Sequence, residues 1–169
     1  MNLELHNFNN LAANEQQDVA ERISAYTKGF LGEQPQMLPV EAEAVLGKHM
    51  GVVALFGQEF AGYIGATEPD THNGAKMPEV GSLWVPEAFR NQGIAKKLVK
   101  VISADLLALD ELPYAFCNPL SLPIFIKAGY EQAGTEEVPP VALTLCKVCP
   151  KRPPTGCCDT LLILKGNQS

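Results

Sequence analysis

The sequence predicts a single α/β domain of the α+β kind, with a central mixed, mostly antiparallel sheet flanked by helices. Three observations carry this. Strand and helix patterns follow one another in the order β-α-α-β-β-β-α-β-α-β-β. The chain has 169 residues, 46% of them hydrophobic, which is enough to bury one core. A glycine turn, Arg90-Asn91-Gln92-Gly93-Ile94-Ala95, joins an apolar strand to an amphipathic helix.

The elements follow in order. Leu3, Leu5 and Phe8 mark a short first strand. Asn14 is placed to cap a helix reaching about Phe30, with Val19, Ile23 and Tyr26 on one stripe and Gly29 and Gly32 ending it. Pro39 opens a second short helix over 40–49. Val52 to Phe56 and Phe60 to Thr67 read as a hairpin about Gly57-Gln58-Glu59. The polar stretch from Glu68 to Pro78 reads as a loop. Val80 to Val85 is a strand, and the helix after the glycine turn runs to about Leu109. Its Leu98, Ile102, Leu106 and Leu109 share a face, while Lys96, Lys97 and Lys100 point to water. Tyr114 to Cys117 is a strand, Ser121 to Ala128 a short helix ended by Gly129, and Tyr130 and Thr160 open the last two strands. The interval 136–159 is long for a loop in a compact domain.

The glycine turn carries the chemistry. The first N–H groups of a helix have no partner inside it, and they point forward with the positive end of the helix dipole. A pyrophosphate satisfies several of them at once. Gly93 has no Cβ and lets such a ligand approach the backbone, and Ala95 is nearly as small. The chain has neither GxxxxGK[ST] nor GxGxxG, which removes the main support for nucleoside triphosphate and dinucleotide sites.

The turn resembles the acetyl-CoA signature of the GNAT (Gcn5-related N-acetyltransferase) superfamily, (Gln/Arg)-x-x-Gly-x-(Gly/Ala). The resemblance extends over about 51–130. It includes the strand ending at Val85-Pro86-Glu87, then Phe89-Arg90, Leu98 in the helix, Asn118, and the step Gly129-Tyr130. It implies the GNAT fold and transfer of an acyl group, most simply acetyl, from acetyl-CoA to an amine by direct attack. Backbone N–H groups of Arg90, Asn91, Gln92, Gly93, Ile94 and Ala95 would hold the pyrophosphate. Leu83, Trp84 and Val85 would lie along the thioester, with a backbone N–H near Leu83 or Trp84 as its oxyanion partner. The pantetheine arm would lie between that strand and Tyr114 to Cys117, near Asn118, Ser121 and Phe125. Many members place a tyrosine four residues before the Gly-aromatic step as the acid for the thiolate. Here that residue is Phe125, which has no proton to give.

The candidates for proton transfer are therefore other groups. Glu79 opens the strand that leads to the signature, where some members place a glutamate acting through water; the competing reading is a solvated strand-end charge. Ser121 could face the thiolate, or cap the short helix. Tyr130 and Tyr114 are hydroxyls nearby in sequence, and buried tyrosines usually serve the core. Cys117 reads first as a small core residue, and His72 as a solvated loop histidine.

Four of the five cysteines, Cys146, Cys149, Cys157 and Cys158, fall in a Pro/Gly/Lys-rich loop at 146–158. They could surround one tetrahedral structural zinc, or be incidental thiols or a reversible disulfide. A four-cysteine site leaves no open position for catalysis.

A net charge of −6 argues against broad nucleic-acid binding. No apolar run reaches the roughly 18 residues of a membrane span. The first ten residues lack the basic start and apolar centre of a signal peptide, so a cytoplasmic protein is expected. The expected partner is an amine acceptor, either a small molecule or a protein, and a homodimer is compatible with the sequence. The rival readings are a non-catalytic acyl-CoA-binding or regulatory module, favoured by Phe125, and an interaction module built on the cysteine loop.

Overall fold

The computed structural model of the chain describes residues 2–144 and 160–165. Their packing divides them into two compact units, one drawn from Met1–Thr67 and Ser82–Ile102, the other from Glu68–Gly81 and Ser103–Ser169.

The first unit opens with β1 (Leu3–Asn7) and α1 (Ala13–Thr27). The start of α1 corrects the cap expected at Asn14. The N-cap is Ala12, which has no capping oxygen; instead the Glu15 carboxylate reaches back and accepts the Ala12 N–H at 2.9 Å. This is half of a capping box. The other end matches expectation. Gly29 takes a φ of +77° and donates to the Tyr26 carbonyl, while the Phe30 N–H reaches Ala25, as in a Schellman stop. Between these ends Val19, Ala20, Ile23, Tyr26 and Thr27 are buried at helical spacing.

After α2 (Ala42–Leu46) comes the hairpin of β2 (Met50–Phe56) and β3 (Glu59–Ala66), antiparallel from Met50↔Ala66 to Phe56↔Glu59 about a turn at Gly57-Gln58. With β6 (Val80–Trp84) they form a sheet in the order β1-β2-β3-β6. Phe8, Ile23, Tyr26, Val53, Tyr63 and Trp84 belong to one core between helix and sheet. α3 (Ile94–Ala108) buries Ile94, Leu98, Val99, Ile102 and Leu106. Leu109, expected on that stripe, lies past the helix end and is exposed.

In the second unit the stretch expected as loop contains a hairpin, β4 (Asp70–His72) paired with β5 (Ala75–Met77). Asn73 and Gly74 form its turn at φ of +49° and +79°. Both central residues of a type I′ turn need positive φ, and Asn-Gly supplies them at least strain. His72 is not simply solvated: its ring Nε2 donates to the Glu136 carbonyl at 2.8 Å. β7 (Tyr114–Cys117), β8 (Tyr130–Gln132) and β9 (Thr160–Leu164) form a second antiparallel sheet, ordered β7-β9-β8. The strands thus group as a four-stranded sheet, a three-stranded sheet and a two-stranded hairpin. α4 (Leu122–Lys127) precedes β8. In the long interval, Thr135–Glu137 and Pro140–Leu143 form 3-10 turns; residues 145–159, with Cys146, Cys149, Cys157 and Cys158, lie outside the described residues. No described helix is long and apolar enough to cross a membrane.

Candidate active site

The turn from Arg90 to Ala95 belongs to the first unit. It follows a 3-10 turn at Glu87–Phe89 and leads into α3. Asn91 and Gly93 both sit in the left-handed region, at φ of +62° and +76°. A left-handed residue followed by right-handed helix turns successive N–H groups toward one side, the geometry of an anion-binding nest. The bond that opens the helix is Lys97 N–H to the Gly93 carbonyl at 3.1 Å, which leaves the N–H groups of 93–96 ahead of it. A Cβ built on Gly93 would have no atom within 4 Å, so the space beside Gly93 is open. Asn91, Gln92 and Gly93 are all exposed. The residues present therefore fit a pyrophosphate held by main-chain donors.

The Arg90 side chain folds back on its own chain. Its Nε donates to the Val85 carbonyl at 3.0 Å, and a terminal nitrogen donates to the Glu33 carboxylate at 2.6 Å. The same carboxylate accepts Trp84 Nε1–H at 3.3 Å and the Glu87 N–H at 2.9 Å.

β6 departs from a regular strand. Ser82 has a φ of +54°, uncommon for any residue but glycine. Gly81, Ser82 and Leu83 are all half-buried, where a regular strand would alternate. Both features depart from the regular alternation of a strand just before Leu83. Gly81 also faces open space, with no atom within 4 Å of a Cβ placed there. Trp84 and Val85 are buried; Trp84 is stacked on Tyr26 at 4.4 Å between ring centroids.

The other candidates lie in the second unit. Glu79 is half-buried and forms an isolated parallel bridge with Tyr114, whose N–H donates to the Pro78 carbonyl. Burial holds the Tyr114 hydroxyl pKa above its usual value, and the Glu79 and Asp70 carboxylates add to the rise. Asn118 Oδ1 accepts the N–H groups of Leu120 and Ser121 at 3.0 and 2.9 Å. Ser121 occupies the N-cap position of α4, but its own backbone is helical and its hydroxyl points back, donating to Asn118 Oδ1 at 3.2 Å. The oxygen that serves as the cap is thus that of Asn118. Phe125 is buried edge-on to Tyr130, with ring centroids 5.0 Å apart. Tyr130 is buried and shares a 2.9 Å hydrogen bond with Ser103. Burial raises its pKa, the Ser103 bond opposes the rise, and the neighbouring Cys117 adds to it. Cys117 is buried. Among the described residues no group of three or more His, Cys, Asp or Glu is placed to hold a metal ion.

The family model described as Acetyltransferase (GNAT) family matches residues 17–125, more than half of the chain. The chain belongs to the GNAT acetyltransferase family. An uncharacterised N-acetyltransferase of Chlorobaculum tepidum is 30% identical to this GNAT protein over 146 residues, 86% of this chain and 89% of the relative. Solved structures share the fold at lower identity. A GNAT family acetyltransferase from Staphylococcus aureus aligns with a TM-score of 0.60 at 16% identity, over 96% of this chain and 97% of its own. One from Brucella melitensis, in complex with acetyl-CoA, aligns with a TM-score of 0.57 at 16% identity, over 77% and 83%. The N-acetylglutamate synthase of Neisseria gonorrhoeae, complexed with coenzyme A and L-arginine, reaches 0.66 at 11% identity over 98% of this chain; the chain spans about a third, 34%, of that enzyme.

Two features of this GNAT site have no counterpart in the sequence reading. The left-handed Ser82 carries no residue-type signal, since serine is ordinary in strands. Glu33 lies 57 positions from Arg90, beyond any local pattern.

Proposed function

We propose that the protein transfers the acetyl group of acetyl-CoA to an amine by direct attack. The observation that carries this reading is the row of forward N–H groups at the start of α3, opened by Gly93, in a chain of the GNAT family. Bound acetyl-CoA supplies an activated acetyl thioester. The main-chain donors of 93–96 neutralise pyrophosphate charge, and a backbone N–H near Leu83 or Trp84, beside the left-handed Ser82, stabilises the carbonyl oxygen as it gains charge. Glu79 accepts the amine proton through water. The acid for the departing thiolate is Ser121, whose hydroxyl is tied to Asn118; Tyr130 is the weaker candidate, its hydroxyl being committed to Ser103. Phe125 favours a second reading, an acyl-CoA-binding module without turnover.

The test compares wild type with Gly93→Trp and Gly74→Trp. Both glycines have positive φ and open surroundings, so the backbone cost of substitution is alike. Wild type and Gly74→Trp are expected to bind acetyl-CoA equally by calorimetry. Gly93→Trp should weaken binding at least about 30-fold, or about 2 kcal/mol. No binding by folded wild type would overturn the reading; binding without thiol release across an amine panel would select the non-catalytic one. A cytoplasmic setting, a homodimer and structural zinc on Cys146, Cys149, Cys157 and Cys158 remain proposals from the sequence. Native mass spectrometry of the same sample reads the last two.

A further inference from the structure

Residues 28–41 connect α1 to α2 with no helix or strand, yet one carboxylate of this segment is nearly enclosed. The Glu33 side chain is only 14% exposed. Its three donors come from consecutive parts of the path to the cofactor turn: Trp84 at the end of β6, Glu87 at the start of the 3-10 turn, and Arg90 at its end. The Arg90 Nε–H bond to Val85 closes the ring. One carboxylate thus fixes both ends of the stretch from Trp84 to Arg90.

The segment that bears Glu33 is itself held on both sides. The Tyr26 hydroxyl accepts the Gln36 N–H at 3.2 Å, and Thr27 Oγ1 accepts the Val40 N–H at 3.0 Å. Tyr26 is also the residue stacked on Trp84, with the rings 9° from parallel. Between the two left-handed glycines Gly29 and Gly32, Phe30 and Leu31 are exposed. The loop is therefore anchored at its base and at Glu33, with an apolar tip between.

From this network we infer that Glu33 is a positioning residue for the cofactor turn. Through Arg90 and Trp84 it couples the 28–41 segment to acetyl-CoA binding. The inference rests on the proposed acetyl-CoA site. Main-chain donors act on an anion only while their direction is fixed, and fixing them beforehand removes an entropic cost from binding. Arg90, occupied by Glu33 and Val85, works as a brace for the turn. Loss of the carboxylate takes one of the two partners of Arg90 and the partner of the indole N–H, and the turn must then be ordered more by the ligand.

Trp84 is the only tryptophan of the chain, so its emission reports on the network. The experiment titrates acetyl-CoA into wild type, Glu33→Ala, Glu33→Gln, Arg90→Ala and Glu33→Ala/Arg90→Ala, following heat and Trp84 fluorescence. Glu33→Ala is expected to bind about tenfold more weakly, and Glu33→Gln, which keeps an acceptor oxygen, to fall between. The double variant should be no weaker than the weaker single, because both substitutions break one pathway. Emission of free Glu33→Ala should differ from wild type and move back toward it on saturation. Binding within twofold of wild type by folded Glu33→Ala would overturn the inference, as would tighter binding or additive losses. Should Glu33→Ala not fold, the near-isosteric Glu33→Gln carries the test, with about threefold weaker binding expected and an unchanged affinity overturning the inference. If wild type binds no acetyl-CoA, the functional proposal falls with it, whereas wild-type binding with an indifferent Glu33 removes this inference alone.

Discussion

Tyr63 shows how tightly single residues of the first unit are fitted. Gly51 and Gly65 are register partners on β2 and β3, and both face its ring. A Cβ on Gly65 would lie 2.7 Å from the Tyr63 hydroxyl, and one on Gly51 3.0 Å from the ring and 2.9 Å from Phe8 Cβ. The two glycines make room for the phenol, yet its hydroxyl is buried and finds no hydrogen-bond partner among the described residues. An orphaned buried hydroxyl costs on the order of 1–3 kcal/mol. Tyr63→Phe is therefore expected to leave the fold intact and to raise stability by about 1 kcal/mol in urea unfolding. A loss of that size instead would show that the hydroxyl is bonded.

At the scale of elements, α3 lies directly on β3 through Gly62. A Cβ there would meet Leu98 Cδ1 at 3.1 Å, the Trp84 carbonyl at 3.2 Å and Ile94 Cγ2 at 3.3 Å. Leu98 can change rotamer, but the Trp84 backbone is held by its strand. Gly62→Ala should thus cost about 1–3 kcal/mol of stability as an overpacked contact. Because Trp84 and Ile94 flank the turn proposed to hold acetyl-CoA, affinity for it should fall in the same variant. Unchanged thermal stability and affinity would show that α3 shifts freely over the sheet. The β4–β5 hairpin is a lesson at this scale too. Asn73-Gly74 is a strong turn signal, but the flanking residues Asp70 to His72 and Ala75 to Met77 are too polar and short to read as strands. Their pairing is set by neighbours, with the Lys76 carbonyl accepting the Leu112 N–H and His72 bonded to Glu136.

For the whole molecule, three buried tyrosines set an alkaline limit. Burial raises the pKa values of Tyr63, Tyr114 and Tyr130 above the ordinary value of 10.0. Unfolded, each loses its proton from about pH 10 upward; folded, each keeps it. The unfolded state then binds fewer protons, so stability falls as pH rises. The contribution is fully present below about pH 10 and falls by about 1.4 kcal/mol per pH unit for each tyrosine above it. Urea unfolding at pH 9, 10 and 11 should show this steepening, and Tyr63→Phe should remove one share. A flat profile over that range would contradict the buried state of these hydroxyls.

How much could be read in advance depended on distance along the chain. The glycine turn before α3 was legible as a structure because its cause is local: strand, glycine and helix start lie within a few residues. α1, α3 and the β2–β3 hairpin were legible for the same reason, since period and turn residues fix them. The cap of α1 was misplaced because Glu15, not Asn14, supplies the oxygen; Ser121 does hold the N-cap position of α4, but the side-chain oxygen that accepts N–H groups there is that of Asn118. These are choices between neighbours that only geometry decides. Tertiary structure alone decided the division into two sheets, the left-handed Ser82 and the enclosure of Glu33 by Trp84, Glu87 and Arg90. Each depends on groups brought together across many residues, and a sequence records which groups are present without recording which of them meet.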